Sequence, residues 1–269
     1  MERTWTGNYD LTYTSAAPHV SDFSFQSRDK DYRPSEHLDS IVDVWDTHWN
    51  PLLGTTPAKD VTDVSLALAA QSDNTRLVVH YMQPHSPYIG DSKILPWGLD
   101  SNELEELDLK NIRESEEIPD AIDSEMLSRI FEEDLGAREL EEEEMTLPTH
   151  TIKNRIETGD ISTQELRAAY RDNLLYVLEE VKRLVERVNC SVIVTADHGE
   201  FLGEHNLFFH PQTHYPEGRQ VPWFTVDESV IGTIPIEERF YEKAPFKHQD
   251  NSEENIEDKL AALGYIDTK

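Results

Sequence analysis

Residues Cys190 to Val226 read CSVIVTADHGEFLGEHNLFFHPQTHYPEGRQVPWFTV. The run Ser191-Val192-Ile193-Val194-Thr195-Ala196 is rich in β-branched side chains and bounded by polar residues. It predicts a short buried strand of a parallel sheet. Asp197, His198, Gly199 and Glu200 follow at its C-terminal end, where an open α/β sheet places its ligand crevice. A carboxylate beside an imidazole, followed by a glycine that lets the backbone turn, offers two ligands to one divalent cation. The same residues also suit an ordinary satisfied turn, and the two readings stand side by side. Of the 11 histidines, His198, His205, His210 and His214 fall in this stretch, a modest enrichment. Val221-Pro222-Trp223-Phe224 predicts the next strand.

Upstream of this stretch, Ser162-Thr163-Gln164-Glu165 forms a capping box: the serine accepts from the first turn and the glutamate reaches back. The helix it opens carries Leu166, Ala169, Tyr170, Leu174, Val177, Leu178, Val181, Leu184, Val185 and Val188 at steps of three and four. That is one apolar stripe over about 25 residues, roughly 37 Å at 1.5 Å rise, and it predicts a core helix on the sheet. Further upstream, Arg76 to Met82 predicts a strand running into Gln83-Pro84-His85-Ser86-Pro87-Tyr88. Thr56-Pro57 starts an amphipathic helix through Val61, Val64, Leu66 and Leu68 to about Gln71. Tyr9 to Thr14 alternates as a strand. Leu38 to Trp45 fits a strand or a helical turn, and Ser21 to Ser35 reads as a loop.

Between Ser101 and Met145 there are 18 acidic and 4 basic residues. Ala121-Ile122, Met126-Leu127, Ile130-Phe131 and Leu135 recur there at helical spacing, which predicts a helical insertion within the acidic run, about residues 98–150. No EF-hand spacing of carboxylates around a glycine supports calcium binding. The tail closes with a helix from about Glu254 to Leu263.

Three of these segments carry a resemblance. TADHGEFLGEH with a following histidine and VPWF, the strand Val78 to Met82 ending in His85-Ser86-Pro87-Tyr88, and the closing Leu260-Ala261-Ala262-Leu263-Gly264-Tyr265 together resemble the sulfatase-like branch of the alkaline phosphatase superfamily. The resemblance implies an alkaline-phosphatase-like α/β fold with a mostly parallel sheet flanked by helices, forming a single domain over 1–269. It implies cleavage or transfer of sulfate or phosphate esters, with a small anionic or glycan-linked substrate and a divalent metal. Asp197 and His198 would be metal ligands, and an Asp-His pair suits manganese or zinc better than calcium. His85 would touch a non-bridging oxygen of the substrate or the leaving group, its alternative being a turn histidine bonded to its own proline-flanked backbone, and His210 would donate to the leaving oxygen as general acid. His205 and His214 carry no such expectation.

The chain also departs from the family pattern, in which a first strand ends in a metal-binding aspartate and is soon followed by a Cys, Ser or Thr nucleophile. Tyr9 to Thr14 leads instead into Ser15-Ala16-Ala17-Pro18-His19. Ser15 is the one hydroxyl to consider there, and nothing nearby activates it. The fold is therefore expected to be N-terminally incomplete, with the nucleophile supplied by an upstream partner segment and with weak or no activity in this chain alone. The alternative is a non-catalytic remnant or binding partner that keeps the sulfatase-like sheet.

Composition bounds these readings. With 54 acidic and 24 basic residues the net charge is −30, which excludes nucleic acid as a partner because phosphate backbones reward the opposite sign. No run of 18 apolar residues suggests a membrane span, and the polar start, MERTWTGNYD, lacks a signal peptide's apolar core. A cytoplasmic location is the expectation. The single cysteine, Cys190, reads as an inert thiol entering a buried strand. An acidic excess spread along the whole chain points to a halophilic protein, whose self-repulsion concentrated salt screens. The thermal unfolding midpoint is accordingly expected to rise steeply between about 0.1 M and about 3 M KCl, as the screening length falls from about 10 Å to below about 3 Å. A flat midpoint would refute the halophilic reading.

Overall fold

The computed structural model describes residues 7–17, 34–50, 53–71, 76–95, 148–211 and 213–241. Three parallel strands form the main sheet: β1 (Tyr9–Ser15), β2 (Leu38–Asp43) and β3 (Leu77–His80), in the order β2-β1-β3. β1 is central, with Tyr13 opposite Ile41 on one side and Val78 on the other. Its second half, from Thr12 to Ser15, is buried. Parallel neighbours need crossovers, and two helices lie in the one from β2 to β3. The short α1 (Val44–His48) follows β2 directly, so the segment Leu38 to Trp45 is both strand and helical turn. Its junction is held by Trp45, whose Nε1 donates to Asp43 Oδ1 at 3.0 Å.

Helix α2 (Ala58–Gln71) begins just past Thr56-Pro57, as proline at a helix start favours. It lies between two apolar clusters. Val61 and Val64 pack with Ala16 and Val44 on the sheet side. Leu66 and Ala67 pack with Leu184, Val188 and Phe240. Two further helices precede the Asp-His segment: α3 (Pro148–Thr158) and α4 (Thr163–Val185). The α4 capping box is complete, with Ser162 accepting from the Glu165 amide and the Glu165 side chain accepting from the Ser162 amide. Leu166, Ala169, Val177, Leu184 and Val185 of α4 are buried, as the stripe predicts, whereas Leu178 is exposed.

After α4 come β4 (Ile193–Thr195), the hairpin β5 (Phe201–Leu202) with β6 (Phe208–Phe209), β7 (Trp223–Thr225) and the short α5 (Glu238–Tyr241). Here the structure corrects the sequence reading. β4 is only three residues long, pairs antiparallel with β7, and is mostly exposed rather than a buried parallel strand. Among the described residues it has no other strand neighbour. Trp223 and Phe224 are 71% and 61% exposed. Cys190 is likewise exposed, not a core thiol. β-branched content signals a strand, but only the partners determine whether that strand is covered. The loop Ser21 to Ser35 (but for its last two residues), nearly all of the acidic insertion and the closing helix lie outside the described residues. The fold is α/β, a parallel sheet flanked by helices, and consistent with the alkaline-phosphatase-like architecture.

A charged cluster ties α2 to α4. Asp63 accepts from Lys59 Nζ at 2.9 Å and from Arg183 at 2.7 Å, and Arg183 also reaches Glu180 at 2.8 Å. Burial alone would raise the Asp63 pKa, but the hydrogen bonds from Lys59 and Arg183 bring it below its ordinary value. A depressed carboxylate pKa stabilises the fold above the unfolded value, near 3.8. That contribution is lost as the pH falls through the lower folded value. Asp63→Ala should therefore cost about 2–3 kcal/mol at neutral pH. The difference from wild type should shrink on acidification below about pH 4, read by denaturant unfolding at fixed salt.

Candidate active site

Three chain segments bring histidines to one place. The first follows β3, whose last residue is His80, and its loop carries His85. The second is the turn after β4, bearing Asp197 and His198. The third leaves β6, with His210 next to Phe209. The hairpin is seated by Phe209, buried in a cluster with Tyr88, Ile152, Ile156, Ile161, Leu166 and Ala169.

His85 and His210 lie 125 positions apart in sequence, yet their Nε2 atoms are 3.0 Å apart. His85 Nδ1 lies 2.6 Å from the Ser86 carbonyl, which can only accept. The proton of His85 is thus on Nδ1, its Nε2 presents a lone pair, and His210 Nε2–H donates across the gap. The His198 ring stands 4.5 Å from that of His210, centroid to centroid. His198 Nδ1 lies 3.0 Å from the Gly199 carbonyl, which leaves Nε2 as the ligating nitrogen. Asp197 Oδ1 accepts from the His198 amide at 3.0 Å and stands 3.8 Å from His198 Nε2. All four residues singled out in the sequence therefore meet.

Gly199 is required at this turn. A Cβ built there would stand 1.9 Å from the Glu217 carbonyl oxygen, so only glycine lets the two backbones pass. His205 lies elsewhere: it stacks on Tyr215 at 3.9 Å and pairs with Glu217 at 3.1 Å. His214 is exposed. Ser15 is buried and donates its hydroxyl to the Ala17 carbonyl at 2.5 Å, so it is occupied within its own turn.

Two further residues belong to the site. His80 ends β3 with Nδ1 sealed from solvent and unpartnered, and its ring lies edge-on to Tyr13 at 5.8 Å. Burial pushes the His80 pKa down, Asp197 opposes that shift, and His198 adds to it. Glu200 keeps its Oε1 sealed from solvent without a hydrogen-bond partner. Burial, and then the charge of Asp197, push its pKa up to about 8. A polar residue closing an apolar strand was the available signal for His80. For Glu200 it was the carboxylate following the Asp-His-Gly turn. The His210 pKa is lowered by burial and by neighbouring His198, against opposing contributions from its own backbone and Asp197.

The loop after β3, the turn after β4 and the exit from β6 thus gather three histidines and a carboxylate. The family model described as Sulfatase matches residues 7–250, and the chain belongs to that family. No curated protein and no solved structure matches the chain significantly.

Members of this family are generally metal-dependent. The donor chemistry of Asp197 and His198, a carboxylate oxygen 3.8 Å from an imidazole Nε2, suits a divalent transition metal. Among the described residues no group of three or more His, Cys, Asp or Glu side chains is arranged to hold a metal ion.

The raised Glu200 pKa makes a test. Between the unfolded value, near 4.5, and about 8 the folded chain holds a proton that the unfolded chain has released. Wild-type stability should fall across that window and level off above it. Glu200→Gln should remove the fall and be the more stable protein by on the order of a few kcal/mol above pH 8, measured by denaturant unfolding across pH.

Proposed function

We propose that this sulfatase-family chain cleaves or transfers small sulfate or phosphate esters, free or glycan-linked, at the cluster of His85, His210, His198 and Asp197. The observation that carries the reading is the 3.0 Å His85–His210 contact beside His198 and Asp197, made by three separate segments. Asp197 and His198 would hold a divalent manganese, zinc or similar ion. When bound, that ion neutralises charge developing on the transferred group. His85, once protonated at Nε2 as the anion arrives, would donate to a non-bridging ester oxygen. His210, whose Nε2 carries the proton at the cluster, delivers it to the leaving oxygen. Burial and His198 hold the His210 pKa below its ordinary value, and an arriving anion would favour the charged form that donates.

The nucleophile comes from a further polypeptide segment, upstream in origin, that completes the sheet. Supporting this are the tied hydroxyl of Ser15 and the exposed β4–β7 ribbon. The acidic composition suits a halophilic cytoplasm, and no helix among the described residues is long and apolar enough to cross a membrane.

The test is hydrolysis of aryl phosphate monoesters, phosphate diesters and sulfate esters in concentrated salt with added manganese or zinc. It is run on the chain alone and on the chain joined to the segment encoded upstream of it. The chain alone should be nearly inert and the joined form active. Asp197→Ala and His198→Ala should each lower turnover by at least about 100-fold and abolish metal uptake, while His214→Ala leaves both intact. Metal uptake unchanged in Asp197→Ala, or a joined form as inert as the chain alone, favours the non-catalytic alternative.

A further inference from the structure

We propose that Asn173, on the inner face of α4, is the positioning residue that sets His85 against His210. The inference rests on the reading of His85 as the substrate-facing imidazole.

Asn173 is fully buried in the middle of a helix, at an otherwise apolar step between Ala169 and Val177. A buried amide persists only if its donors and acceptor are used. Here all of them are turned onto the His85 loop. Nδ2 donates to the carbonyls of Pro84 at 3.2 Å, His85 at 3.1 Å and Pro87 at 3.4 Å. Oδ1 accepts from the Ile89 amide at 3.0 Å. One side chain therefore ties together backbone groups from four positions of the loop.

Asparagine is the side chain that suits this task. Its two N–H groups are shared among the three carbonyls; ionised aspartate could donate to none of them, and leucine of similar volume could neither donate nor accept. The loop also lies flush on α4 one turn of chain later. A Cβ on Gly90 would stand 2.6 Å from the Asp172 carbonyl carbon and oxygen and 2.8 Å from the Asn173 nitrogen. Ser92 Oγ donates to Asp172 Oδ2 at 2.5 Å just beyond. The His85 backbone carbonyl is itself a direct partner of Asn173, so the ring's origin is fixed by the amide. The reach of His85 Nε2 to His210 follows from that origin.

The experiment uses the full folded chain with isotope-labelled histidine, and reads the through-space cross-peak between the His85 and His210 rings, whose centroids lie 5.1 Å apart. Asn173→Leu should lose the cross-peak and split the His85 ring signals into several conformers. Gly90→Ala, which leaves Asn173 in place but lifts the loop from α4, should weaken the same cross-peak. Val177→Ala, a cavity one turn along the same buried face, should lower the unfolding midpoint while keeping the cross-peak intact. A cross-peak retained in Asn173→Leu, or lost equally in Val177→Ala, overturns the proposal, as does its absence from the wild type. If Asn173→Leu fails to fold, a Gly90→Ala protein with an undiminished cross-peak overturns it and a weakened one supports it. None of these readings requires turnover or metal, so a failure to hydrolyse esters counts against the functional reading alone.

Discussion

Val79 of the main sheet and Val192, at the entry to β4, rest on the same helical layer, against the cluster of Leu66, Ala67, Leu184, Val188 and Phe240. Strand pairing does not join these two parts of the molecule among the described residues. The packed contact between α2 and α4 therefore has to hold their relative position, and with it the distance between the β3 loop and the Asp197 turn. Apolar burial supplies the bulk of that contact, and the Asp63–Arg183 pair gives it a register. A shift of α4 along α2 would move Asn173 and the β4 entry together, so both sides of the site depend on one interface.

Within the site, acidic and basic groups sit where each perturbs its neighbours. Asp197 favours protonated Glu200 and opposes the fall in the His80 pKa. His198 lowers the pKa of His210. A second cation among three imidazoles is therefore disfavoured, whereas an anion arriving among them would offset that repulsion and favour protonated, donating rings. The arrangement is better suited to an anionic oxygen than to an apolar ligand.

Much of this was readable in the chain. The α4 capping box and the proline before α2 act through neighbours three or four residues away, so sequence alone locates both helix starts. His85, Asp197, His198 and His210 stood out because each follows a strand-like run, and the structure brings them together. The burial of β4 was misread, since cover comes from distant segments that a local pattern does not contain. Asn173 was passed over for a related reason. A helical stripe is recognised by its apolar members, and a polar residue in register with Ala169 and Val177 looks like an interruption until the loop that needs it is in view. His80 and Glu200 were given no role because their importance lies in burial, which depends on the tertiary fold.

The uncovered ribbon of Ile193, Trp223 and Phe224 places the protein between two opposing demands of its solvent. Salt concentrated enough to quiet a net charge of −30 also strengthens the association of exposed apolar surface. The repulsion that hinders compaction at low salt is the same force that keeps such ribbons from meeting edge to edge. On the halophilic reading, solubility and foldedness would respond to ionic strength in opposite directions, with the two exposed aromatic side chains setting the upper bound and the carboxylates the lower.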